Sequence, residues 1–218
     1  VQRQNALIPV SVDQLQVILG SALGDGSFEK TPKSPTYALA IKHGLKQKNY
    51  CLWKAHILSE LITKVDFPKD RVRARTIRHP IITDIAKVCL LPGRKRITEK
   101  LLQKLGPLGC AIWYLDDGSL SRAKTSKTGI SYPIIIRIST CAFTQEENKF
   151  LRSFLEKKLS VHTFRCMWVS KKDFNGKMYD TPRKYHGIGL RGGNALRFLQ
   201  YITPVLKDQN HGMEYKLL

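Results

Sequence analysis

Apolar residues recur at helical spacing near the start of the chain, where Leu15, Ile18, Leu19, Ala22 and Leu23 follow Ser11-Val-Asp-Gln14. A serine and a glutamine three residues apart can each bond the other's backbone, so this spacing predicts a capped helix over about 12–24. Gly24-Asp25-Gly26 ends it, because glycine tolerates the backbone that terminates helices and opens turns. Strand-like segments follow over 27–31 and 37–43, split by Pro32-Lys-Ser-Pro35, and a helix is predicted over 49–63. Arg71-Val-Arg-Ala-Arg75 alternates strictly, which as a strand sends the three arginines to one face and Val72 and Ala74 to the other. Ile81, Ile82, Ile85, Ala86 and Cys89, after Pro80, mark another helix.

Leu91-Pro-Gly-Arg-Lys-Arg96 joins helix breakers to a charge cluster and reads as a boundary. After a short predicted helix over 97–105 the opening pattern returns. Pro107 starts an apolar segment that ends at Asp116-Asp117-Gly118, with strands predicted over 119–124 and 133–140. A helix over 145–158 follows, with Phe150, Leu151, Phe154 and Leu155 inward, then strands over 161–171 and 184–191 and a last helix over 193–206. The chain therefore reads as a duplicated α+β unit, helix, two strands, helix, two strands, helix, with residues 1–96 and 97–218 as the two copies. Each copy predicts an antiparallel sheet with helices on one face and the other face open.

Composition narrows the function. The 218 residues carry 37 Lys+Arg against 17 Asp+Glu, a net charge of +20, and both halves are basic. Such a surface repels itself unless a polyanion neutralises it, and nucleic acid is the natural partner. No apolar run is long enough to span a membrane, and no charged-then-apolar export signal opens the chain. Five cysteines without a C-x-x-C pair suggest neither a disulfide framework nor a zinc site. The compartment is read as intracellular and reducing, either an organelle such as a chloroplast or mitochondrion, or a prokaryotic cytoplasm.

The chemistry concentrates where each copy ends an apolar helix with an aspartate and a glycine. A helix C-terminus is partially negative, so a carboxylate there is misplaced unless something positive joins it. Asp-Gly alone is an ordinary turn dipeptide, but turn chemistry does not require it at the same point of two repeats.

At these residues the sequence resembles a known family. Ile18-Leu-Gly-Ser-Ala-Leu-Gly-Asp-Gly26 and Cys110-Ala-Ile-Trp-Tyr-Leu-Asp-Asp-Gly118 are similar to the two motifs of a monomeric LAGLIDADG homing endonuclease, the second to its W-Y-M-D-D-G branch. The resemblance implies two pseudo-twofold αββαββα repeats forming a saddle over double-stranded DNA, with the motif helices packed together through Gly20, Ala22, Ala111 and Ile112. It departs at Ile112, where the family has a small residue, so Gly20 and Ala22 are expected to make room. It also implies that Asp25 and Asp117 hold divalent cations, Mg²⁺ or another such as Mn²⁺, with the backbone carbonyls of Gly24 and Asp116 as secondary contacts. Lys95 and Lys216 are the implied lysines of the cleavage centre, with Arg78 and Arg191 as weaker candidates. The implied activity is hydrolysis of both strands at a long asymmetric target, serving the mobility of the intron that encodes the enzyme. An RNA maturase of the same fold acting on intron RNA, and a non-catalytic ribonucleoprotein component, are the alternatives.

Residues i and i+2 of a strand lie about 6.6 Å apart, so Arg71, Arg73 and Arg75 form a comb of guanidiniums suited to a duplex, and like charges so placed call for a counter-charge. Arg137, Arg165, Lys171, Arg183 and Lys184 are the DNA-binding candidates of the second copy, Arg165 and Lys171 sharing one face. Gly187-Ile-Gly-Leu-Arg-Gly192 matches G-x-G-x-x-G, but too little chain follows for a dinucleotide fold, and a strand-to-helix turn suffices. The histidines lack metal-ligand spacing, and His43 stands out for ending a strand near the expected cleft. Trp113 and Tyr114 read as core.

Overall fold

The computed structural model describes residues 8–32, 34–122, 134–172, 178–206 and 210–217. The capping box forms as expected: the Gln14 N–H donates to Ser11 Oγ and the Ser11 N–H to Gln14 Oε1. Helix α1 (Val12–Leu23) runs from there to Gly24. Strands β1 (Ser27–Glu29) and β2 (Ala38–Gly44) follow, then α2 (Lys48–Ile57), β3 (Ile62–Asp66), β4 (Arg71–Thr76) and α3 (Pro80–Cys89). A small hairpin, β5 (Leu90–Leu91) with β6 (Arg94–Lys95), turns at Gly93, whose φ of 78° only glycine adopts readily. After α4 (Glu99–Gln103) the order repeats as α5 (Pro107–Asp117), β7 (Gly118–Ser121), β8 (Ile135–Ser139), α6 (Gln145–Leu159), β9 (Phe164–Lys172), β10 (Met178–Arg191) and α7 (Gly193–Ile202).

The two four-stranded sheets have the same order, β1-β2-β4-β3 and β7-β8-β10-β9, with every pairing antiparallel. One face of each is buried under helices, through Leu39, Ile41, Val72 and Ala74 in the first and Ile136, Ile138, Ile188 and Leu190 in the second. Among the described residues no helix is long and apolar enough to cross a membrane.

Several expectations are corrected. The helix predicted over 49–63 ends at Ile57, and Ile62-Thr63 belong to β3, where β-branched side chains suit a strand pairing with β4. The segment 91–96, read as a boundary, lies largely in the β5–β6 hairpin. The predicted 97–105 helix is confined to α4, and the last helix ends at Ile202 before a 3₁₀ turn over Thr203–Val205. Residues 123, 124 and 133 of two predicted strands lie outside the described residues. Phe150 faces solvent at 51% exposure, while Leu151 and Leu155 are buried. Trp113 and Tyr114 are core residues. In the glycine motif, Gly187 and Gly189 lie inside β10, and Gly192 alone, at φ 55°, makes the turn into α7.

The motif helices meet where Gly20 has no side chain. A Cβ there would stand 2.6 Å from the Gly109 carbonyl oxygen and 2.8 Å from Ile112 Cβ, so the absent side chain is the space that Ile112 occupies. Ala22, Ala111 and Ile112 are all buried along this seam. Gln16 ties it off at the far end, its amide donating to the Lys104 carbonyl at 2.9 Å and accepting from the Gly106 N–H at 2.6 Å.

Candidate functional site

Because α1 and α5 pack side by side and end together, their terminal acids converge. The Asp25 N–H donates to Asp116 Oδ2 at 3.0 Å, so the end of one motif is bonded to a side chain of the other. The Asp116 carboxylate is fully buried, whereas the Asp25 side chain is 45% exposed. Burial first, then the neighbouring Asp25 and Asp116, push the Asp117 carboxyl up to about 7. Asp25 is raised as well, by burial and by Asp116, with Lys54, Lys95 and Lys216 opposing.

Both lysines named from the sequence arrive at this point. Lys95 leaves the β5–β6 hairpin and donates to the Gly24 carbonyl at 2.5 Å. Lys216 comes from the C-terminal segment and donates to the Leu115 carbonyl at 2.6 Å. They satisfy carbonyls that the helix ends leave open, where the dipole favours cations. Burial depresses the pKa of each, and the three acids around them oppose that shift. The Gly24 carbonyl, expected to face a metal, is thus occupied by an ammonium, and Lys216 grips the residue before Asp116 rather than Asp116 itself.

His43 lies beneath the acids. Its Nδ1 is 3.7 Å from Asp25 Oδ2, and its Nε2 is 3.9 Å from Asp116 Oδ1. Burial, helped by Lys54, holds its pKa down to about 4, so the ring is neutral. Asp25, His43 and Asp116 could bring ligand atoms within 4.8 Å of one another, but Lys54 already neutralises Asp116, its Nζ 2.9 Å from Oδ1. The donors that fit a hard divalent cation are the carboxylates of Asp25 and Asp117, whose raised pKa values a bound cation would reverse.

Sequence reasoning missed Lys54 and Tyr50. The signal was a lysine on the buried stripe of α2, one turn after Tyr50 and beside Trp53. Also missed were the anchors of the C-terminal segment: Tyr114 Oη donates to the Lys216 carbonyl at 2.7 Å, Arg122 to the Leu217 carbonyl at 2.8 Å, and His211 packs on Trp53.

The arginines of β4 alternate as expected, with Val72, Ala74 and Thr76 buried. Their counter-charge is already present, which corrects the argument from like charges. Arg73 makes a bidentate pair with Asp66 at 2.9 and 2.6 Å, and this holds the Asp66 carboxyl well below the usual range. Arg75 pairs with Glu29 at 3.1 Å, and Arg71 lies 3.9 Å from an Asp70 that is 86% exposed. Arg78 donates to Thr31 Oγ1 at 3.2 Å.

In the second sheet Arg137 lies on the open face, donating to Ser121 Oγ. Arg191 stacks on the Phe164 ring at 4.3 Å. Arg165 and Lys171 do share a face, but Arg165 pairs in register with the buried Ile188 and lines a groove with Asn148, Lys149 and Arg152 of α6. That is the helix side, and by strand alternation Lys184 projects there too. The side chain of Arg183 lies outside the described residues. Among the described side chains, the open face of this sheet carries aromatic rings beside Arg137 and Arg191: Phe164 over Gly189, and Trp168 over Gly187 and stacked with Tyr185.

Comparison with known proteins adds the following. The family model described as "LAGLIDADG DNA endonuclease family" matches residues 15–179. Protein RecA of Mycolicibacterium chitae is 32% identical over 117 residues, which cover 51% of this chain and 27% of that protein. Cytochrome b mRNA maturase bI2 of Debaryomyces hansenii is 24% identical over 166 residues, covering 70% of this chain and 59% of that protein. The chain thus spans about a quarter of the length of RecA and just under three fifths of the maturase. Among solved structures, the homing endonuclease I-WcaI bound to its DNA recognition sequence shares the fold, with a TM-score of 0.74 at 19% identity, covering 100% of this chain and 90% of that one.

Proposed function

The chain belongs to the LAGLIDADG DNA endonuclease family, and from that premise we propose that it is a site-specific homing endonuclease that acts as a monomer and hydrolyses both strands of a long asymmetric DNA target. The observation that carries this reading is the convergence of two pKa-raised carboxylates, Asp25 and Asp117, at the ends of two helices packed side by side. Two such groups in one chain match two scissile phosphates, one per strand, and the repeats of residues 1–96 and 97–218 each contribute one.

A divalent cation, Mg²⁺ or Mn²⁺, bound by Asp25 or Asp117 would supply Lewis acidity toward the phosphate oxygens. The chain's own groups do the rest. Asp25 and Asp117 place negative charge where the cations are needed. Lys95 and Lys216, whose ammonium groups are already desolvated, offset charge on the phosphate and polarise water beside it. The open sheet faces lie along the duplex, and two sheets span about two turns, on the order of 20 base pairs. Mismatches that cost about 1–3 kcal/mol each are then tolerated in part. We further propose that the protein is encoded in the intron it mobilises. The five free thiols suit a reducing compartment, organellar or prokaryotic.

The experiment is cleavage of a plasmid carrying the joined flanking sequences. Protein with Mg²⁺ is expected to linearise it, while Asp25→Asn, Asp117→Asn or a chelator abolishes double-strand cleavage. The likeness to a maturase favours a second reading, assistance to splicing of an intron RNA on the same scaffold. Intact plasmid, together with splicing activity that both asparagine variants retain, would establish it; retained RNA binding alone would point to a non-catalytic ribonucleoprotein component.

A further inference from the structure

In the proposed mechanism Asp116 contributes no side-chain chemistry, yet both its carboxylate oxygens are committed. Oδ2 accepts the Asp25 N–H at 3.0 Å and Oδ1 accepts Lys54 Nζ at 2.9 Å. Lys54 and Asp116 are both fully buried in their side chains. The ammonium also lies over the Tyr50 ring, 4.2 Å from its centroid, and the Tyr50 hydroxyl donates to the Ile112 carbonyl at 3.2 Å. A pair of residues from α2 therefore grips the end of α5 in the opposite repeat, and through Asp116 that grip reaches the backbone of residue 25. Gly24 fits the same arrangement, since a Cβ on it would collide with the Asp116 carboxylate.

A buried ion pair is poor evidence for stability, because desolvation of two charges offsets their attraction. A positional task explains this one better, and the task is one-sided. The position of the first motif that corresponds to Asp116 is Gly24, which has no side chain to return the favour to α5. Asp117 is instead held within its own helix, as the last residue of α5. Asp25 lies beyond the end of α1 and takes its backbone restraint from the other motif.

From this asymmetry we propose that Lys54 and Asp116 are positioning residues for Asp25 alone, so that their ion pair governs the cut in one DNA strand and not in the other. The inference rests on the reading that Asp25 and Asp117 each serve one strand. Loss of the pair lets Asp25 drift, and misplacement of a reacting group by about 1 Å costs on the order of a hundredfold in rate.

The test follows each strand of a doubly end-labelled target under single turnover in Mg²⁺. Lys54→Met/Asp116→Asn removes both charges together, so that no lone buried charge is left to unfold the protein, and thermal melting verifies the fold. The expected result is a shift of about tenfold or more in the ratio of the two strand rates, with nicked product accumulating, and the slowed strand being the one that Asp25→Asn silences. Lys54→Arg, which keeps the positive charge, is expected to retain most of the wild-type ratio. Equal slowing of both strands, or an unchanged ratio, overturns the inference while leaving the nuclease reading intact. A wild-type protein that cuts neither strand overturns both.

Discussion

Asp117 is a carboxyl whose surroundings favour its protonated form: burial and two neighbouring acids push it up to about 7, against the pull of Lys95 and Lys216. That shift has a thermodynamic sign. Between the ordinary carboxylate pKa near 4 and about 7, the folded protein holds a proton that the unfolded chain has released, so raising pH through this window costs stability. Replacing the group with an amide removes the cost. Asp117→Asn is therefore expected to melt above the wild type at pH 8, by about 2–4 °C for each kcal/mol recovered, and to converge with it near pH 4. A melting difference equal at the two pH values would show that the carboxyl is not under this strain. His43 stays out of the window, because burial keeps it neutral down to about pH 4. The sequence marked both motif acids through their repeated place at a helix end. It did not mark Lys54, since a lysine in an apolar stripe acquires a partner only when the second repeat brings Asp116 to it.

At the scale of elements, the seam between α1 and α5 decides whether the acids meet at all. An added methyl at Gly20 would press on the Gly109 carbonyl, and backbone cannot rotate aside as a side chain can. Gly20→Ala is expected to lower stability by about 1–3 kcal/mol, whereas Gly44→Ala, whose new Cβ would meet nothing within 4 Å, is expected to stay near neutral in the same denaturant titration. Equal effects at the two positions would mean that the seam yields. The seam also explains what was legible beforehand. Helix α1 could be read because its capping box and apolar spacing are local signals, and the strand alternation of β4 is local too. The first two residues of strand β3, Ile62 and Thr63, fall inside the helix predicted over 49–63, because Ile62 extends its apolar pattern and only pairing with β4 makes these residues a strand. Phe150 was misplaced for a similar reason: helical period identifies an apolar face, but its edge depends on how far α6 leans over the sheet.

Over the whole molecule, a net charge of +20 predicts a polyanion partner without saying which cations remain available to it. Composition counts charges, and the fold pairs them. On the open face of the first sheet Arg73 is held by Asp66, and Glu29 is shared between Arg75 and Lys42 at 3.1 and 3.0 Å. Among the described side chains of the second sheet, Arg165, Lys171 and Lys184 turn to the helix side, while Arg137, Arg191 and aromatic rings lie on the open face. Arg71 stands apart, 69% exposed with its acidic neighbour 3.9 Å away. The salt dependence of DNA binding separates these cases, because each phosphate neutralised contributes about 0.9 to the slope of log affinity against log salt. In Ca²⁺ buffer with target duplex, Arg71→Ala is expected to lower the slope by about one unit. Arg73→Ala/Asp66→Ala removes a neutral pair together and is expected to leave the slope nearly unchanged. If the pair variant flattens the slope as much as Arg71→Ala does, Arg73 must leave Asp66 for a phosphate on binding, and the ion pairs of this face are exchangeable partners that hold the arginines extended until DNA replaces the carboxylates.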